Sequence, residues 1–160
     1  MNKTLIAAAI ALAGLAACAS TTPAARQTAA VAGTVALRAG FLPDPYRVTV
    51  TAGGTVAAST RSSGCAGFIA GTPDFVLTYT AVHATADLLH VYVRAAADTT
   101  LVVRSPRGSW VCNDDDEFDD GVDPWVSFIY PETGTYSIWV GTYARGSYPA
   151  ATLYISEIDS

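Results

Sequence analysis

The sequence predicts an all-β fold, an antiparallel β-sandwich of jelly-roll type with about eight strands. Three observations carry this expectation. From Arg47 onward apolar residues recur with a period of two, the mark of strands that bury one face. Clusters of Gly, Pro, Asp and Ser interrupt that period at short intervals, as tight turns require. No comparable stretch carries apolar residues at helical spacing, so helices have no face to bury.

In chain order, residues 1–17 read as a signal peptide: Lys3 is the positive n-region, residues 5–15 are a short apolar run, and small residues follow. The run is too short to span a membrane stably. Leu15-Ala16-Ala17-Cys18 resembles the bacterial lipobox, which implies that Cys18 becomes the lipid-modified first residue and that the membrane partner is reached through a lipid anchor. Ala19 in place of Asp directs such lipoproteins to the outer membrane by the same resemblance. The competing reading is cleavage after Ala17-Cys18-Ala19, with a periplasmic or secreted product. Residues 18–40 are Ala- and Thr-rich and read as a tether, in which 29–37 is either helical or an early strand. Residues 41–160 form the domain.

Within it, Val48 and Val50 alternate with Arg47, Thr49 and Thr51. Phe75, Leu77 and Tyr79 make the next apolar face, and Leu89, Val91 and Val93 another, with His90, Tyr92 and Arg94 opposite. Residues 101–103 precede a turn at Ser105-Pro106-Arg107-Gly108, after which Trp110 and Cys112 resume the pattern. Three more strands are expected over 126–130, 136–143 and 151–156, separated by turns at 131–134 and 145–149.

Composition bounds the function. With 160 residues, 51% hydrophobic and 14% charged, the chain suits one domain. A net charge of -5 and nine scattered basic residues exclude a nucleic-acid surface. Once Cys18 takes lipid, Cys65 and Cys112 remain as an even pair in an oxidising compartment, so a disulfide is expected. A reactive thiol needs basic neighbours, and Cys112 precedes a run of acids.

That run carries the one dense group of charges. Between Asp114 and Asp123 stand Asp114, Asp115, Asp116, Glu117, Asp119, Asp120 and Asp123. Crowded carboxylates disfavour one another's ionisation unless a positive charge intervenes. A hard cation such as Ca2+ meets that need with oxygen ligands, and Asn113, Asp114, Asp115, Asp116 and Asp123 are the expected set. Zinc, which prefers His and Cys, is disfavoured, and the register is not an EF-hand. A solvated acidic turn is the alternative.

The order Asp98-Thr99-Thr100-Leu101-Val102-Val103, Pro106, Gly108, Cys112-Asn113-Asp114-Asp115, Pro124 and Gly134-Thr135-Tyr136-Ser137-Ile138-Trp139-Val140-Gly141 resembles the bacterial pre-peptidase C-terminal (PPC) domains. These are β-sandwich modules often attached to secreted proteases. The resemblance implies a calcium-binding accessory role, and it places Asp44 and Asp74 near positions where collagen-binding relatives hold ions. The chain departs from the pattern at 117–123, where the family is Gly-rich with an Asn.

No catalytic device is expected. There is no Gly-x-Ser-x-Gly elbow, and adjacent carboxylates in a wet loop lack the separation that glycoside hydrolysis needs. His90 is expected on an exposed strand face and His83 in a turn. A binding surface is the second hypothesis: Trp139 and Tyr143 share a face opposite Tyr136, Ile138 and Val140, and with Tyr154 they form a platform for a glycan or peptide. Cross-strand aromatic packing competes with that reading. The sequence therefore describes a monomeric, non-catalytic module of the bacterial envelope, with a glycan, a peptide or a secreted peptidase as its partner.

Overall fold

A computed structural model describes residues 33–82, 87–115 and 123–158. The signal and lipidation expectations, including Cys18, lie outside those residues, as do His83, Asp116, Glu117, Asp119 and Asp120. The described chain is all-β. Its strands are β1 (Gly33–Arg38), β2 (Tyr46–Thr51), β3 (Val56–Ala57), β4 (Phe68–Ile69), β5 (Phe75–Thr80), β6 (Leu88–Ala95), β7 (Thr99–Arg104), β8 (Trp110–Asn113), β9 (Trp125–Ile129), β10 (Gly134–Thr142) and β11 (Ala150–Ser156). They form a seven-stranded sheet containing β1, β5, β10, β7, β8, β4 and β3, and a four-stranded sheet in the order β2-β11-β6-β9.

Every strand expected from periodicity is present. The additional ones are β1 and the two-residue pair β3 and β4, too short to show a period. Of the two alternatives for 29–37, the early strand forms over its described part, as β1 (Gly33–Arg38), so the sandwich includes residues expected to be tether. β1 pairs with β5 in parallel, Val35 facing Leu77 and Leu37 facing Tyr79, a departure from a wholly antiparallel sandwich.

The main core lies between the sheets. Phe75, Leu77 and Tyr79 of β5, Tyr136, Ile138 and Val140 of β10, and Leu101 and Val103 of β7 meet Leu89, Val91 and Val93 of β6 and Leu153 and Ile155 of β11. The larger sheet also buries part of its outer face. The segment between β2 and β5 folds back over it, and Ala58, Cys65, Ile69 and Ala70 cover Val102 and Trp139. This third layer explains why 101–103 and 138–140 are unbroken apolar runs: both faces of those strands are buried. The fit is close. A Cβ at Gly54 would stand 2.0 Å from the Ile69 carbonyl oxygen, so only glycine permits the approach. A disulfide between Cys65 and Cys112 of β8, with a Cα–Cα separation of 5.3 Å, fastens the layer.

Asp74 closes a gap in the larger sheet. β10 pairs with β5 only as far as Ile138, opposite Phe75. Beyond that point the Asp74 carboxylate accepts a hydrogen bond from the Val140 amide at 2.8 Å, and the Gly53 amide donates to the Val140 carbonyl at 2.8 Å. A side chain and a loop amide thus replace a missing strand, which keeps buried backbone groups paired.

Candidate functional site

Asn113, Asp114, Asp115, Asp116 and Asp123 are the expected ligand set, with Asp44 and Asp74 as secondary candidates; Asp116 lies outside the described residues, and the other six stand in separate surroundings. Asp74 is 3% exposed and serves the β10 backbone. Burial pushes its carboxyl up to about 7, against the opposing effect of the Val140 hydrogen bond. Asp44 accepts from the Ser156 hydroxyl at 2.6 Å and the Glu157 amide at 3.0 Å, tying the 41–45 turn to the end of β11. Asp123 accepts from Arg94 and from the Ala95 amide, both at 3.3 Å. Asn113 donates to the Trp125 carbonyl at 2.8 Å and accepts from the Asp115 amide at 2.9 Å, linking the last residue of β8 to the first of β9.

That leaves Asp114 and Asp115, with Asp116 outside the described residues. Asp98, which the sequence reading overlooked as a donor, joins them: its carboxyl is pushed up by burial and by the negative charges of Asp115 and Asp114. The negative end of the sandwich is therefore built from the start of β7 and the exit of β8, two segments brought together by the β7–β8 pairing of Leu101 with Asn113. Among the described residues, no three His, Cys, Asp or Glu side chains are arranged to hold a metal ion.

The expected aromatic platform is rearranged. Trp139 is 5% exposed and packs at 5.2 Å against Trp110 in the covered outer face of the larger sheet. It is core, because the 52–70 segment lies over it. Tyr143 is exposed just beyond β10. Tyr154 lies on the other sheet, in a row the sequence did not reveal. Register pairs Arg47 with Tyr154, Tyr154 with Tyr92, and Tyr92 with Trp125 across β2, β11, β6 and β9. Tyr154 and Tyr92 stack at 4.8 Å and 2°, and Tyr92 and Trp125 at 4.4 Å and 13°. The Arg94 guanidinium lies 5.6 Å from the Tyr92 ring centroid. The rings cover one another's faces, so Tyr92 is buried on the outer side of its sheet. Cross-strand register carries this row, and a single strand does not show it.

His90 lies on that same outer face, as expected, but is buried rather than exposed because Trp125 packs on it at 4.9 Å. Its Nδ1 is 2.8 Å from the Ser127 hydroxyl, which also accepts from the Trp125 indole at 2.8 Å. The indole occupies an acceptor position on the hydroxyl oxygen, and a buried imidazole is poorly placed to exchange protons with a substrate.

No helix among the described residues is long and apolar enough to cross a membrane. No family model matches the chain, and no curated protein matches it. Among solved structures it is similar to the pre-peptidase C-terminal domain of a collagenase from Bacillus anthracis, at 14% identity and a TM-score of 0.42, covering 77% of this chain and 94% of that one. It is also similar to PliG of Aeromonas hydrophila, a periplasmic lysozyme inhibitor of g-type lysozyme, at 16% identity and a TM-score of 0.38, covering 78% and 96%. Likenesses at this level carry neither partner nor activity to this chain.

Proposed function

We propose that the chain is a non-catalytic, PPC-like binding or accessory module of the bacterial envelope, anchored through a lipid on Cys18 and associated with Ca2+ at its negative end. What supports the cation is that Asp98, the residue before β7, shares this end of the sandwich with Asp114 and Asp115, so that burial and then their negative charges push its carboxyl up. Among the described residues, no hydrogen bond absorbs these three carboxylates as hydrogen bonds absorb those of Asp44, Asp74 and Asp123. In sequence Asp114 and Asp115 immediately precede residues 116–122, which add four more acids. Burial and then the neighbouring charges oppose ionisation of Asp98, and a divalent ion would offset both.

Calorimetric titration with Ca2+ tests this reading. Binding heat that disappears in an Asp114→Asn/Asp115→Asn double variant is expected, with a melting temperature that falls in chelator. No heat and no shift would remove the ion. The lipid is tested by metabolic labelling with a fatty-acid analogue, which should mark the wild-type chain and not Cys18→Ser.

A second reading, a glycan- or protein-binding module without metal, is favoured by the aromatic row on the four-stranded sheet. It predicts that Tyr154→Ala loses binding to cell-wall glycan while Ca2+ has no effect.

A further inference from the structure

β9 is the last strand of the four-stranded sheet, and among the described residues no strand pairs with its outer edge. Two hydrogen bonds set its phase: the Val93 amide donates to the Pro124 carbonyl, and the Tyr130 amide donates to the Asp87 carbonyl. With β6 and β9 antiparallel, the backbone groups of Val126 and Phe128 therefore turn toward β6, and those of Trp125, Ser127 and Ile129 turn outward. The Asn113 side chain takes the Trp125 carbonyl. Among the described residues no strand pairs with the Ser127 and Ile129 backbone on that side.

Natural sheets guard such an edge with lysine, an inward charge or a bulge. The stretch Trp125-Val126-Ser127-Phe128-Ile129-Tyr130 carries no charge at all. Ile129 is 71% exposed and Tyr130 65%, and Tyr130 is held at a φ of 54°, a strained backbone for an aromatic residue. Beside them opens a cavity of about 270 Å3, lined by Val111, Phe128 and Tyr136 with Ser105, Arg107 and Glu132. At the other end of the strand the Asn113 side chain holds the Trp125 carbonyl, and Asp114 and Asp115 follow directly in the chain.

We infer that the β9 edge is a docking site for an extended, cationic-ended segment of a partner protein, which adds to the sheet as a fifth strand. Its main chain bonds to the outward groups of Ser127 and Ile129. One apolar side chain enters the cavity, and a Lys or Arg about five residues along, roughly 17 Å away in extended chain, meets Asp114 and Asp115. Charge selects this occupant over a second copy of the chain, since two molecules of net charge -5 repel each other. The inference rests on the binding-module reading and deepens it by giving the chemistry of the partner, whose cationic end and Ca2+ compete for Asp114 and Asp115.

Selection of a random heptapeptide display library on the full chain tests it, with the best peptide then measured by fluorescence anisotropy. Alternating apolar residues with a Lys or Arg at one end are expected among the enriched peptides. Ile129→Pro removes an outward amide without touching the β6 ladder, and should weaken binding at least tenfold; Asp114→Asn/Asp115→Asn should weaken it severalfold and flatten its salt dependence. In the wild-type chain, bound peptide should slow hydrogen exchange at the Ser127 and Ile129 amides, a readout independent of how well the proline variant folds. The inference is overturned by peptides that leave those two amides unprotected, by enrichment without basic residues, by no enrichment at all, or by sedimentation showing a dimer that Ile129→Pro dissolves. Failure of this kind with Ca2+ uptake intact refutes the docking edge alone, whereas hydrolase activity abolished by His90→Ala refutes the module.

Discussion

Replacing Asp74 with Asn should make the protein more stable at alkaline pH and less stable at acid pH. The wild-type carboxyl forms no ion pair among the described residues, and burial raises it from 3.8 to about 7. Between those values the folded chain holds a proton that the unfolded chain has lost, so Asp74 makes stability fall as pH rises from about 4 to about 7, and its effect is constant above that. At about 1.4 kcal/mol for each unit, the full change is on the order of 4 kcal/mol. An Asn side chain still offers an oxygen to the Val140 amide but buries an NH2 group, costing about 1–3 kcal/mol if it finds no acceptor. The variant should therefore gain roughly 1–3 kcal/mol over wild type at pH 8.5 and lose a similar amount at pH 4. Urea denaturation of both proteins across that range measures the difference directly, and titrations common to both, such as that of Asp98, cancel. A stability difference that does not change with pH would falsify the assignment of Asp74 as a buried, uncompensated acid.

Other substitutions probe the layers. Replacing Cys65 and Cys112 together with Ser should cost about 4 kcal/mol for the 47-residue separation in the chain-entropy account, read as a lower urea midpoint. Trp139→Ala should cost about 3–5 kcal/mol, as expected of core, while Tyr154→Ala, losing one stacked partner and part of its burial, should cost less than half as much; equal losses would contradict the layer assignment. Gly54→Ala forces a methyl group onto the Ile69 carbonyl and should destabilise by more than about 2 kcal/mol, whereas Gly146→Ala meets no neighbour and bears only the strain of its positive φ, about 1 kcal/mol. Glu132→Gln, breaking an ion pair with the largely exposed Arg107, should change stability by under about 1 kcal/mol.

Local chemistry is legible in this sequence wherever a residue's role depends on its neighbours along one strand. The alternation at Leu89, Val91 and Val93 declares a core face, and turn residues mark where strands end. With Cys18 expected to carry lipid, Cys65 and Cys112 remained as an even pair, and the structure bridges them. The covering layer is less legible, since β3 and β4 are two residues each and their glycines are defined by backbones distant in sequence. Unbroken apolar runs such as Ile138-Trp139-Val140 hinted at it, because a strand covered on both faces loses its alternation.

Candidate site residues divide along the same line. That Asp114 and Asp115 are crowded by acids follows from adjacency, and the sequence alone determines it. Which carboxylates are already engaged was decided by tertiary structure: Asp74 completes β10, Asp44 holds the end of β11 and Asp123 meets Arg94, while Asp98 comes to Asp114 and Asp115 from the residue before β7. The Arg47-Tyr154-Tyr92-Trp125 row is likewise a product of register across four strands. A strand's own residues dictate which of its faces is apolar, but only pairing decides what stands beside each of them, because hydrogen-bonded neighbours in a sheet come from anywhere in the chain.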